Sequence, residues 1–369
     1  MKSCDDLPRI MRLSLAALVV SGWLLSCENG ARKSVAQQTS HSIQPVSGSA
    51  IAISPLHPVT ESVYEETVEI DDDLPTEPIA VAPQDEIWMI DGRNCHCNPQ
   101  DLSLLNIFRL DGCTWSNQPL DALYKAHDLD RSKTTFIYVH GDRTDSFYAT
   151  FRGMTNYRNV FGEGSERCCQ GVRFVIWSWK SEKEFHRPSK DYTLKSNRAR
   201  AVGKSLAPFL SQFSNRRIVL AGYSLGCQAL LIALEDLSNG SCTPVANAAE
   251  TRQDQYRVCL IAPALEPCYV SQHRCPLAGA ELVAQTDIFD NSADRALKCA
   301  KVLGWRVAPG GGTPIQVLAW QGRLPIANIT MFDLACSVGK KHSVVTYTAV
   351  PIVGVRLREM VAEIATGRE

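Results

Sequence analysis

Residues 216–230 read RRIVLAGYSLGCQAL, and no other stretch of the chain limits its fold so tightly. The run 218–221 (IVLA) is apolar and of strand type. Gly222-Tyr223-Ser224-Leu225-Gly226 follows, and from 227 to 237 apolar residues recur at helical spacing. A G-x-S-x-G set between a strand and a helix predicts a turn so sharp that its central serine holds a strained backbone conformation. Gly222 and Gly226 are needed on either side because a Cβ there would strike the adjoining strand or helix. Such a turn lifts the Ser224 hydroxyl to the C-terminal edge of a sheet, beside a helix N-terminus that favours developing negative charge. Ser224 is therefore the candidate nucleophile.

Around this turn, strand-like and helix-like segments alternate, which predicts an α/β fold with a mostly parallel central sheet and helices on both faces. Strands are expected at 86–91 (EIWMID), 105–111, 135–139 (TFIYV), 172–177 (VRFVIW), 257–262 (RVCLIA), 282–289 and 326–332. Helices are expected at 121–127, 145–160, 191–213 (with Lys and Arg on its outer face), 296–302 and 343–348. No internal repeat is evident. Residues 85–369 are read as one domain.

The N-terminal part has a different character. Residues 13–25 form an apolar run too short for a comfortable membrane span but suited to a signal peptide. It ends in Leu24-Leu25-Ser26-Cys27, which resembles the lipobox of bacterial lipoproteins. That resemblance implies cleavage after residue 26 and lipidation of Cys27, anchoring an exported protein to a membrane of the cell envelope. Glu28 follows, so the Asp that signals inner-membrane retention is absent. Asp5 and Asp6 sit poorly in a signal, and a start at Met11 would remove them. A plain secretory signal, or a short membrane anchor, with Cys27 incidental is the alternative. Residues 27–84 are rich in Ser, Gln, Pro, Thr and Ala and turn acidic, the composition of a disordered tether. A net charge of −1 over 369 residues implies no nucleic-acid partner. Of 14 cysteines, removing Cys4 and Cys27 leaves twelve, which an exported domain could pair, with connectivity open. Cys95-His96-Cys97 with Cys113 has poor zinc-site spacing, so disulfides or buried thiols are the better reading, and no metal or organic cofactor is implied.

A serine needs an imidazole base, itself oriented by a carboxylate. Two histidines follow Ser224. His273 comes too early, whereas His342 follows the last expected strand and precedes a helix, where a base over the sheet edge belongs. For the carboxylate, Asp294 ends the loop after the 282–289 strand and opens a helix. Asp287, Asp290 and Asp333 are rivals, and each could equally be a cap or turn residue. The oxyanion hole is expected from the backbone N–H of Leu225 and that of Asp142, in the loop Val139-His140-Gly141-Asp142. There Gly141 would let the backbone approach substrate, and His140 would hydrogen-bond at the turn. The Asp142 side chain should disfavour anionic substrates.

These residues, with EIW (86–88), VHGDRTD (139–145), FVIWSW (174–179), GYSLG (222–226), APAL (262–265), NSADRAL (291–297) and KHS (341–343), give the chain a resemblance to a family of bacterial α/β-hydrolases, esterase- and lipase-like. The resemblance implies the α/β-hydrolase fold, with Ser224 as nucleophile, Asp294 as acid and His342 as base. Asp142 and Lys180 depart from it, standing where such proteins often carry Asn and Pro. The activity expected is that of an exported serine hydrolase acting on a small-molecule or lipid acyl substrate. The alternative is a binding or scaffolding lipoprotein of the same fold without turnover.

Overall fold

The computed structural model describes residues 79–162, 170–215, 217–239, 256–265, 282–297 and 329–366. The signal segment 1–26, Cys27, the tether up to residue 78, Cys168, Cys169 and His273 lie outside the described residues. So do 298–302 of the helix expected to open after Asp294.

Among the described residues nine strands form one sheet. In chain order they are β1 (Glu86–Asp91), β2 (Asn106–Asp111), β3 (Thr114–Gln118), β4 (Lys133–Val139), β5 (Gly171–Ser178), β6 (Ile218–Tyr223), β7 (Tyr256–Ile261), β8 (Val283–Asp290) and β9 (Ile329–Asp333). Their spatial order is β3-β2-β1-β5-β4-β6-β7-β8-β9. From β1 to β9 every neighbouring pair is parallel, and only β2 and β3 are antiparallel additions at one edge. The helices are α1 (Leu120–Leu129), α2 (Ser146–Phe161), α3 (Pro188–Leu210), α4 (Leu225–Ser238), α5 (Ala335–Val338), α6 (Val344–Thr348) and α7 (Pro351–Thr366).

Strand periodicity divides the core into two layers. Ile137 and Val139 of β4, Val175 and Trp177 of β5 and Leu220 of β6 face one side, against Leu123 of α1, Val202 and Leu206 of α3 and Leu230 of α4. Their neighbours Phe136, Tyr138, Phe174, Ile176 and Val219 face the other, against Tyr157 of α2, Tyr347 of α6 and Leu357 and Met360 of α7. Side chains alternate across a strand, so fully apolar runs such as FIYV can bury both faces only between two helical layers. This is the α/β arrangement, a mostly parallel sheet with helices on both faces, that the alternation predicted.

The strand order also creates a crevice. After β4 the chain moves outward to β5, and after β6 it moves the opposite way to β7. Loops leaving the adjacent ends of β4 and β6 therefore diverge, and ligands of open α/β sheets bind at such a switch point. Val139 and Gly222, the last β4 residue and the glycine that opens the serine turn, are register partners there.

Three expectations need correction. Ile79 and Val81 pack on the second core layer, and the Ala82 N–H donates to the Tyr157 hydroxyl at 3.1 Å. The packed chain thus begins before residue 85, because these residues are apolar and have a surface to cover. Helix α3 starts at Pro188, whose ring suits a first helical position, and ends at Leu210. Its Lys195 lies fully buried rather than on an outer face.

Candidate active site

The turn after β6 is built as its glycines require. A Cβ on Gly222 would lie 2.8 Å from the Cys227 Cα, inside the first turn of α4, and one on Gly226 would lie 2.2 Å from the Val139 carbonyl oxygen of β4. Between them Ser224 has φ 52° and ψ −118°, a left-handed conformation that costs a β-carbon residue roughly 1–3 kcal/mol. Its amide donates to the Ile261 carbonyl at 2.9 Å, and its own carbonyl accepts from Cys227 and Ala264. Two other non-glycine residues with positive φ, Arg143 and Ala262, leave β4 and β7 at the same sheet edge. Strain of this kind persists where surrounding contacts over-determine the backbone, characteristically at functional sites.

Ser224 is 4% exposed. His342, in the loop between α5 and α6, brings its Nε2 to 3.1 Å from the Ser224 Oγ and its Nδ1 to 2.6 Å from the Asp294 Oδ2. An Nδ1–H bonded to the carboxylate leaves the Nε2 lone pair facing the hydroxyl, the tautomer a general base needs. Burial works against protonation of His342, but the Asp294 charge and hydrogen bond, with a smaller pull from Asp142, outweigh it and hold the imidazole above its ordinary range. Tyr223 packs its ring 5.3 Å from the imidazole.

Asp294 serves two purposes. Its Oδ1 accepts the Leu297 N–H and so caps the helical residues that follow it, while Oδ2 meets His342 and the Tyr347 hydroxyl at 3.1 Å. The rival carboxylates are occupied elsewhere. Asp287 is buried in an ion pair with Arg356 at 2.8 Å, Asp290 accepts the Asn291 amide, and Asp333 binds Ser292 and the Ala335 N–H. Buried Asn291 ties the Asp294 loop to the His342 loop, donating to the Gly339 carbonyl at 2.9 Å and accepting from the Ala293 amide.

The loop after β4 is stapled to the one after β5. Ser181 Oγ donates to the Gly141 carbonyl at 2.9 Å and accepts from the Thr144 N–H, while the Arg143 N–H donates to the Ser181 carbonyl. His140 stacks on Trp179 and accepts the Trp179 N–H at Nε2, and its Nδ1 meets the Gly141 carbonyl. Burial depresses the His140 imidazole to about 3, so it is a neutral structural group with both nitrogens engaged. Gly141 is constrained by Ser224 itself, since a Cβ there would lie 2.8 Å from the Ser224 Cβ and 2.8 Å from the Tyr223 Cδ1. The Leu225 N–H stands at the first position of α4, where a helix offers no acceptor of its own.

The Asp142 carboxylate is not the lone charge that its sequence position suggests. Its Oδ1 accepts the Arg143 N–H and pairs with Lys195 Nζ at 2.8 Å, and the fully buried Lys195 also contacts Asp191. Asp191 in turn accepts the Glu184 and Phe185 amides. One buried ammonium therefore clamps the β4 and β5 loops to α3. Lys195, Asn291 and Tyr347 have no predicted role in the site; the sequence signals among them are the i, i+4 spacing of Asp191 and Lys195 and the place of Asn291 at the head of the NSADRAL stretch.

Among the described residues no group of three or more His, Cys, Asp or Glu side chains is arranged to hold a metal ion. Cys95, Cys97, Cys113, Cys227 and Cys259 are free thiols. Burial, with the Asp91 charge, pushes Cys95 up to about 11. His96 turns its Nδ1 to the Arg93 carbonyl.

By sequence, no family model matches the chain, and no curated protein matches it. By shape it is similar to solved esterases. Esterase B from Lactobacillus rhamnosis, solved with a C6–C4 inhibitor, is 10% identical over 79% of this chain and 90% of that one, with a TM-score of 0.40. An esterase from Pyrobaculum calidifontis is 12% identical over 83% and 91%, with a TM-score of 0.35. A bacterial heroin esterase is 13% identical over 72% and 80%, with a TM-score of 0.33.

Proposed function

We propose that the domain is a serine hydrolase that cleaves an acyl bond, a carboxylic ester being the simplest substrate. The observation that carries this reading is the unbroken line from Ser224 Oγ through both nitrogens of His342 to the Asp294 carboxylate. His342 Nε2 takes the Ser224 proton as Oγ bonds to the substrate carbonyl carbon. The N–H groups of Leu225 and Asp142 receive the oxyanion, helped by the N-terminus of α4. The imidazolium then protonates the leaving alkoxide, an alcohol departs, and an acyl-Ser224 ester remains. Water, deprotonated by the same Nε2, attacks that ester, and collapse of the second tetrahedral intermediate releases the acid and restores Ser224. Asp294 stays ionised throughout and stabilises the charged imidazole.

Export and lipid anchoring at Cys27 complete the reading, supported by the apolar run and lipobox-like end of residues 13–27. An alkyl fluorophosphonate probe on the full chain tests the chemistry: labelling is expected for wild type and lost in Ser224→Ala. Equal labelling of both, or of neither, favours the binding or scaffolding alternative. A panel of acyl esters of graded chain length then defines the substrate, and Cys27→Ser should release the protein from membranes.

A further inference from the structure

Resting on that reading of the site, we propose that Tyr347 is a positioning residue: its hydroxyl donates to the Asp294 oxygen that His342 uses, fixing the carboxylate's plane and drawing off part of its charge. Tyr347 sits on α6, five residues beyond His342, and is fully buried. Its oxygen lies 3.1 Å from Asp294 Oδ2, and the Asn291 side chain reaches the same hydroxyl. Burial and the Asp294 charge push the phenol far above its ordinary range, so it stays protonated and acts as a donor to the carboxylate.

Among the described residues the Asp294 carboxylate thus receives three donors with different tasks. The Leu297 N–H on Oδ1 ties it to its own loop, His342 Nδ1 on Oδ2 is the working contact, and Tyr347 shares that oxygen. A hydrogen bond to a carboxylate is about twice as strong as one between neutral groups, and two donors on one oxygen compete for its charge. Removing the tyrosine donor leaves more of that charge to the imidazole N–H, so the imidazolium is held more tightly. Among the described residues the other groups acting on His342 are Asp142 and the Tyr223 ring, which the substitution leaves in place. A tyrosine that merely filled space would show none of this, because Tyr347→Phe keeps the ring.

The decisive experiment follows His342 in full-length protein by its imidazole nitrogen NMR signals across pH, in wild type, Tyr347→Phe and protein carrying 3-fluorotyrosine at position 347. In Tyr347→Phe the His342 midpoint should rise by about half a unit to one unit, and Ser224 labelling by a fluorophosphonate below that midpoint should slow by about three- to tenfold. Above the midpoint the loss should narrow to about twofold. The more acidic fluorophenol is a stronger donor and should move the midpoint the other way, which keeps the test open even if the Phe variant is unstable. An unmoved midpoint in both variants, or a fall in Tyr347→Phe, overturns the proposal. If wild-type Ser224 takes up no probe, the hydrolase reading fails by itself, while the NMR titration still reports whether Tyr347 acts on His342.

Discussion

Gly141→Ala is the sharpest perturbation of this site, because it adds one carbon at the point where the loop after β4 meets Ser224. The new Cβ would lie 2.8 Å from the Ser224 Cβ and 2.8 Å from the Tyr223 Cδ1. Carbon atoms settle at about 3.5–4.0 Å, so loop and serine must part by roughly 0.7–1.2 Å. Neither side yields easily. Ser181, Thr144 and Arg143 hold the loop, and Ser224 is pinned through both its backbone groups. A displacement of about 1 Å from productive geometry costs on the order of 10²-fold in rate, and overpacking costs about 1–3 kcal/mol of stability. The expected outcome is a fall of about 10²-fold in kcat/KM on a short-chain p-nitrophenyl ester, with a melting temperature lower by a few degrees and KM changed much less than kcat. Wild-type kcat together with an unchanged melting temperature would falsify the contact argument, since the methyl group would then have met open space.

Because Asp294 holds His342 above its ordinary range against the opposing effect of burial, kcat/KM should fall on the acid side with a midpoint above about 6.5, the unperturbed histidine value. The linked stability has the opposite trend: a raised folded-state value contributes stability fully present below about 6.5 and lost as pH rises through the folded midpoint. Melting of Ser224→Ala against pH checks this, and a curve flat across that window would refute it. Asp294→Asn should lower kcat by about 10⁴-fold with little loss of stability. Asp287→Asn, which breaks a buried ion pair with Arg356, should do the reverse, and comparable kcat losses in the two variants would remove Asp294's special status. Lys195→Met leaves Asp142 and Asp191 without their shared cation, at a cost of about 3–5 kcal/mol. Adding Asp142→Asn should recover part of that in urea unfolding, and strict additivity would rule out the clamp.

How far the fold can be read depends on how each element is buried. Strands β4, β5 and β6 lie almost wholly inside and advertise themselves by the apolar runs FIYV, FVIW and IVLA, and the glycines of the serine turn are legible because only they fit. Strand β3 reads TWSNQ and has no such signature: it is a half-exposed edge whose pairing with β2 decides its conformation. Helix α7 lies beyond the last predicted helix, although Val353, Leu357, Met360, Val361 and Ile364 recur at helical spacing behind Pro351.

The site divides along a similar line. Ser224, Asp294 and His342 can be nominated from residue type and chain order, because the chemistry demands one of each and the topology allows few positions. What surrounds them follows no such rule. Tyr347 reaches Asp294 across 53 residues, Asn291 reaches Gly339 across 48, and Lys195 on α3 meets Asp142 on another loop. Each contact exists only because parallel strands align their C-terminal ends at one edge, which brings together loops far apart in sequence. A lysine on a helix reads as solvent-facing until the carboxylates it serves are located, and its burial is tolerable only because two of them flank it. The groups proposed to react are therefore the legible part of this site. The residues that hold them to within tenths of an ångström become visible only in the folded chain, and those are the ones on which the rate of a preorganised site depends.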